Sequence, residues 1–281
     1  MRPPSRIPRA KIERLRAILK RHGRVLVGFS GGMDSFFLLR EAVAALGRGN
    51  VVAVHVATPF SGEGARSRVA YFREKAPLPV RTLRLDLLAD RRLRDNPRDR
   101  CYLCKRLMFR ALKREARRLG IAAVLDGSTL SDQAEHRPGR RALAELGILS
   151  PLRDAGIASA EIAAELAREG FEPFYLTSST CLATRFPYDE PLRPARIAAI
   201  GRVEHFLAGR GIYPLRVRHI PAGVRIEVGA ERIRDVLAVR QELLAFCRGK
   251  SAEFVTIDLG GLRKGAWAKP KRTAKEQKTS N

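Results

Sequence analysis

The sequence predicts an α/β protein: a parallel sheet with helices on both faces, followed by a smaller α/β unit. Three observations predict it. Short apolar runs alternate with amphipathic segments through the first two-thirds of the chain, as in a sheet wound with crossover helices. The first apolar run passes into a Gly-Gly loop and then a helix. The pattern changes after Arg185, where a helix is followed by two strands about a tight turn.

Taken in order, Lys11 to Lys20 reads as an amphipathic helix with Ile12, Leu15, Ile18 and Leu19 on one face. "RVLVGF" (Arg24 to Phe29) is continuously apolar, as a buried parallel strand would be. "MDSFFLLREAVAALG" is a helix stopped by Gly47, and "VVAVHVA" (Val51 to Ala57) is the second strand. "RSRVAYFREKA" reads as a helix, "VRTLRLD" (Val80 to Asp86) as a strand, "LCKRLMFRALKREARRLG" as a helix and "IAAVLDGS" as a fourth strand. Beyond the Pro-rich linker "FPYDEPLRP", the second unit runs helix ("RPARIAAIGRVEHFLAGRG"), strands ("LRVRHI", "GVRIEV"), one helix ("ERIRDVLAVRQELLAFCRG") and a strand ("FVTIDLGG"). The expected division is residues 1–186, residues 187–265 and a basic tail, residues 266–281, expected to be disordered.

The chain has 281 residues, 45% of them hydrophobic and 30% charged, a soluble globular composition. No apolar run reaches the ~18 residues of a membrane span, and the basic N-terminus lacks a signal peptide's apolar stretch, so a cytoplasmic protein without membrane partners is expected. The net charge of +25 admits two readings: a nucleic-acid partner, or an Arg bias spread along the whole chain. With no basic stripe interleaved with aromatics, the second is favoured and nucleic acid remains a possible partner. A homo-oligomer is equally open.

Chemistry enters at "SGGMDS" (Ser30 to Ser35), between the first strand and its helix. Gly31 and Gly32 let the backbone turn tightly and approach a ligand. The helix start offers free N–H groups and the positive end of its dipole to an anion, and Ser30 and Ser35 add hydroxyls. The Gly-Lys-Ser/Thr ending of a Walker A loop is missing. The stretch resembles the PP-loop signature of ATP pyrophosphatases. That resemblance implies an adenine-nucleotide α-hydrolase-like fold and attack at the α-phosphate of ATP, with Asp34 supporting the loop or a Mg²⁺ ion.

Four cysteines remain to be placed. Cys101-x-x-Cys104 in a cytosolic setting points to metal or redox chemistry, and Cys181 is a third candidate. Cys247 sits at helical spacing with Leu237 and Leu244 and reads as core. His22, His55, His205 and His219 stand at no metal-ligand spacing beside a cysteine. A zinc site usually closes with four ligands; three thiolates without a fourth suit a [4Fe–4S] cluster with one open iron. Zinc stays open on spacing alone.

"SGGMDS", "CYLCK", "VLDGSTLSDQAEHRPGRRALAELGILSPL", "CLATRFPY" and "VTIDLGGLRKG" together resemble the LarE family from about Val25 to Gly265. These are ATP-dependent sulfur transferases that make the nickel-pincer nucleotide cofactor. The resemblance implies adenylylation of a carboxylate of pyridinium-3,5-biscarboxylate mononucleotide and replacement of oxygen by sulfur. With three cysteines the chain is similar to the branch in which Cys101, Cys104 and Cys181 hold a [4Fe–4S] cluster that carries sulfide from a sulfur donor. Another branch sacrifices one cysteine's own sulfur. The resemblance further implies nucleotide contacts at Asp126, Gly127 and Ser128, phosphate pairing at Arg137, Arg140 and Arg185, and catalytic roles for Cys181, Asp34 and Arg185. Glu204, Asp235 and Arg263 match family site positions, with surface ion pairing as the alternative. Ser159 and Ala163 stand where family members often carry Lys and Arg, "FYLTSS" replaces a Trp-Asp-Lys-Pro-like stretch, and Asp189 replaces a Gly. Two rivals remain: a [4Fe–4S]-dependent tRNA thiolase, and a non-catalytic zinc-containing nucleic-acid-binding protein.

Overall fold

The computed structural model describes residues 6–133, 139–172, 181–248 and 253–262. Its larger sheet has four strands, β1 (Val25–Gly28), β2 (Val51–Ala57), β3 (Val80–Arg84) and β4 (Ala123–Leu125), in the order β3-β2-β1-β4 and parallel throughout. Around it run α1 (Arg9–Lys20), α2 (Met33–Leu46), α3 (Glu63–Glu74), α4 (Arg91–Arg94), α5 (Arg100–Arg118), α6 (Gly139–Glu145), α7 (Pro151–Asp154) and α8 (Ser159–Arg168). The smaller sheet has β5 (Leu215–Ile220), β6 (Gly223–Val228) and β7 (Phe254–Ile257), with α9 (Pro194–Ala208), α10 (Ile233–Ala238) and α11 (Arg240–Arg248). β5 and β6 are antiparallel; β6 and β7 are parallel.

Alternation of side chains along β1 explains the layers. Val25 and Val27 join one core with Leu15, Leu19, Phe36, Phe37, Leu152 and Leu166, while Leu26 faces a second core with Val54, Phe109, Leu112 and Val124. A strand buried on both faces is apolar at every position, which is why no polar alternation marks it. The smaller sheet builds a third core from Val217, Ile226, Ile200 and Leu207. That core continues into Phe60, Leu87, Leu93, Leu182 and Phe186, with Leu103, Cys104 and Leu107 packed against it. The cysteine helix is thus fastened between two cores.

Most expected elements form. Three differ in ways that bear on the site. Helix α5 begins at Arg100, because Tyr102 continues the buried stripe of Phe109, Leu112 and Ala116; both cysteines of the pair are therefore helical, one turn apart. The single helix expected over "ERIRDVLAVRQELLAFCRG" is two, since Val239 leaves helical geometry at φ −97°, ψ 14°. The β4 edge gains a parallel bridge, Leu125 to Leu149, that apolar patterning did not announce. Arg137, Arg263 and the tail lie outside the described residues.

Candidate active site

β1 ends beside β2 on one side and β4 on the other. The loops after β1 and β4 therefore open onto one crevice at the carboxyl end of the sheet, where ligands bind in such folds. Gly31 adopts φ +78°, and a Cβ there would lie 2.2 Å from Val69 Cγ2. Gly127 on the β4 side comes so close that a Cβ would meet Ser35 N at 2.9 Å. Ser35 is buried; its hydroxyl donates to Gly32 O (2.9 Å) and accepts from Ser30 N–H (3.2 Å). With that proton committed, the 3.0 Å contact between Ser30 Oγ and Ser35 Oγ runs from Ser30 to Ser35. Ser35 shapes the loop from within, while the first N–H groups of α2, like those of any helix start, have no intrahelical partner. Asp34, in the first turn of α2, favours the positive end of the helix dipole. Its Oδ2 accepts from Ser159 Oγ at 3.1 Å.

Asp126 is turned inward. It accepts from Ser150 Oγ (2.6 Å), Ser128 Oγ (2.5 Å) and Ser128 N–H (3.3 Å), holding the "DGS" turn in shape. Its fourth neighbour is Lys105 Nζ at 3.8 Å. Lys105 reaches it by passing the start of α6, where a Cβ on Gly139 would lie 2.7 Å from Lys105 Cδ. Arg140, the next residue, is exposed. Lys105 follows Cys104 directly in "CYLCK", so one lysine links the phosphate crevice to the thiols.

Cys101, Cys104 and Cys181 are free thiols and close neighbours electrostatically. Burial first, then the charges of Cys181 and Cys101, push the Cys104 thiol far up, while Lys105 pulls it down. Cys104 Sγ also packs on Met108 Sδ at 3.7 Å. Cys181 keeps some surface open to solvent, yet burial of its thiol is the largest cause of a raised pKa. The Ala183 N–H lowers it, Cys101 raises it, and Arg100 and Arg185 lower it. Among the described residues no three His, Cys, Asp or Glu side chains are gathered as a metal-binding group. Burial and neighbouring thiol charge penalise ionisation of Cys104 and Cys181, a penalty that a bound soft cation would remove, so the three sulfurs suit a thiolate-held metal. Cys247 is buried core, as expected.

Just past Cys181, a short 3₁₀ turn (Leu182–Arg185) buries Arg185. Its guanidinium bonds Glu204, with Nη2 to Oε2 at 3.2 Å, and Thr184 Oγ1 at 2.8 Å. Glu204 also accepts from Val217 N–H (2.9 Å), so it locks α9, β5 and the turn together. Arg185, Glu204, Arg68 and Arg216 line one pocket with Tyr213 and Leu182. Burial, then the charge of Arg185, lowers the Arg216 pKa, against the pull of Glu204 and Tyr213. Glu63 lines the pocket too, so its three arginines face two carboxylates. Asp235 pairs with Arg232 at 2.7 Å, away from this group. Sequence reasoning missed Lys105, Arg68 and Arg216. Only Lys105 left a signal, its place beside a cysteine of the pair.

A parallel sheet with a glycine-rich anion loop after β1, facing the β4 loop across one crevice, defines a PP-loop-like nucleotide-binding fold. No protein-family model matches the chain. It is 33% identical over 249 residues (89% of the chain, 90% of the relative) to the pyridinium-3,5-bisthiocarboxylic acid mononucleotide synthase of Lactiplantibacillus plantarum. The chain therefore belongs to the family of that synthase, the LarE family. It is also 29% identical over 262 residues (91% and 96%) to an uncharacterised protein of Synechocystis sp.. A third relative, an uncharacterised protein of Methanocaldococcus jannaschii, is 27% identical over 242 residues (84% and 89%).

Proposed function

We propose that this enzyme uses ATP to adenylylate a carboxylate of pyridinium-3,5-biscarboxylate mononucleotide and replaces oxygen with sulfur in nickel-pincer cofactor synthesis. A substrate carboxylate oxygen attacks the α-phosphorus of ATP, the bond to the bridging oxygen breaks, and pyrophosphate leaves into the Ser30–Ser35 loop. The N–H groups of that loop and the α2 dipole stabilise the departing charge. Asp34 suits Mg²⁺, which proteins hold through one or two carboxylates together with substrate phosphates. Arg185, Arg216 and Arg68 favour an anionic nucleotide, and bidentate arginine pairing suits its phosphate. Lys105, beside Asp126 and next to Cys104 in sequence, would meet the acyl-adenylate phosphate. A [4Fe–4S] cluster on Cys101, Cys104 and Cys181 would supply sulfide as a soft nucleophile without deprotonation at neutral pH; a C–S bond would form at the acyl carbon as the C–O bond to AMP breaks and AMP leaves.

The Lys105–Asp126 pair carries this reading, since it joins a phosphate crevice to a thiol group on one helix. In an anaerobic preparation, the pyridinium mononucleotide is expected to stimulate formation of AMP and pyrophosphate. Asp34→Asn is expected to cut that release by more than about ten-fold, since even the partners behind metal-binding side chains are worth roughly 10–100-fold. Finding ADP and free phosphate as products would sink the assignment.

A further inference from the structure

Ser159 is the first residue of α8, and three segments meet at its side chain. Its Oγ donates to Asp34 Oδ2 at 3.1 Å, lies 2.9 Å from Thr129 Oγ1, and its N–H donates to Ser131 Oγ at 3.2 Å. The direction of the hydroxyl chain follows from chemistry. An ionised carboxylate only accepts, and Ser159 has one hydroxyl proton, which goes to Asp34. Thr129, which is fully buried, must then donate to Ser159. Thr129 is itself pinned, its N–H donating to Asp132 Oδ2 at 2.8 Å. The loop after β4, the start of α8 and the phosphate loop are thereby joined by a proton-ordered chain that ends on one oxygen of Asp34.

We infer that Ser159 is a positioning residue for Asp34: it holds Oδ2 in place, so the carboxylate presents a fixed orientation to the cation that accompanies ATP. This rests on the proposed role of the loop in binding Mg²⁺·ATP. Ser159 does not touch the nucleotide in this scheme; it acts through Asp34, as partners behind metal-binding carboxylates do.

Mn²⁺ in place of Mg²⁺ gives a binding signal by electron paramagnetic resonance that does not depend on turnover. Ser159→Ala is expected to weaken Mn²⁺ uptake in the presence of ATP about ten-fold. The Mg²⁺ concentration for half-maximal pyrophosphate release should rise in proportion, while the rate at saturating Mg²⁺ falls far less. Ser159→Thr keeps the hydroxyl and is expected to restore most of the affinity. Wild-type Mn²⁺ affinity in Ser159→Ala, or a Thr variant no better than Ala, overturns the inference while leaving the activation chemistry intact. ADP and phosphate from the unaltered enzyme would instead overturn both.

Discussion

At the scale of single residues, Gly31 is where the site tolerates least. Its φ of +78° lies in the left-handed region, and an added Cβ would approach Val69 Cγ2 to 2.2 Å and Val69 Cα to 2.8 Å. Trimming Val69 removes the first contact but not the one to its backbone. Gly31→Ala therefore faces both a steric block and a conformational cost of ~1–2 kcal/mol, and Val69→Ala should not rescue it. Calorimetric titration with Mg²⁺·ATP is expected to show the loss of binding, with the double variant no better than the single one. The cysteines separate by the same logic of surroundings. Under the proposed cluster mechanism, Cys101→Ala, Cys104→Ala and Cys181→Ala should each lose iron and sulfur transfer together, because a cluster needs its three thiolates at once. Cys247→Ala, in the third core, should keep both and cost only stability, on the order of 1 kcal/mol. The sacrificial mechanism would show another pattern: Cys181→Ala alone inactive, and a chain lighter by one sulfur after turnover.

At the scale of elements, β1 and β2 are held in register at the phosphate loop by His55. Its Nδ1 bonds Phe29 O at 2.9 Å, so Nδ1 carries the proton, and Phe29 directly precedes the loop. Burial is the main cause of a lowered His55 pKa; the Phe29 hydrogen bond raises it and Arg73 lowers it. Between that lowered value and the ordinary histidine value of about 6.5, the unfolded chain binds more protons than the folded one. Stability from the neutral imidazole is present above that pH and is lost as pH falls toward the lowered folded value. Urea melts between pH 7 and 5 should show this slope, and His55→Gln, uncharged throughout, should flatten it; an unchanged slope would remove His55 as its source. The elements themselves were largely legible. β2 matches its expected bounds, and Gly47 ends α2 at φ +79°. The start of α5 was not: the expected helix begins at Leu103, with Cys104 inside it and Cys101 outside, and only the fold shows Tyr102 extending the buried stripe back to Arg100. The phosphate loop was readable because glycines and hydroxyls are local. The Arg68–Arg185–Arg216 pocket was not, because it gathers residues from α3, the 3₁₀ turn and β5 that no spacing connects.

At the scale of the whole molecule, the third core ties the cysteine helix to the smaller sheet, so the thiols and the arginine pocket share one packed body. Charge is the other global property. The chain carries 54 Lys and Arg against 29 Asp and Glu, a net +25. Acidic groups are taken up in surface pairs such as Arg210–Glu242 and Arg92–Asp90, which contribute little individually to stability and nothing to the excess. The excess still sets up a positive field that attracts any polyanion, whatever the substrate. This distinguishes the two sulfur-transfer readings by experiment. As a small-molecule enzyme, the protein should retain bulk tRNA on a filter at low salt and lose most of that retention by about 0.2 M salt, as non-specific phosphate contacts do. tRNA should leave pyrophosphate release unchanged, while the pyridinium mononucleotide raises it. Retention that survives salt, together with tRNA-stimulated turnover and a thiolated nucleoside in the digest, would make the chain a tRNA thiolase and assign its arginines to a backbone of many phosphates instead of one.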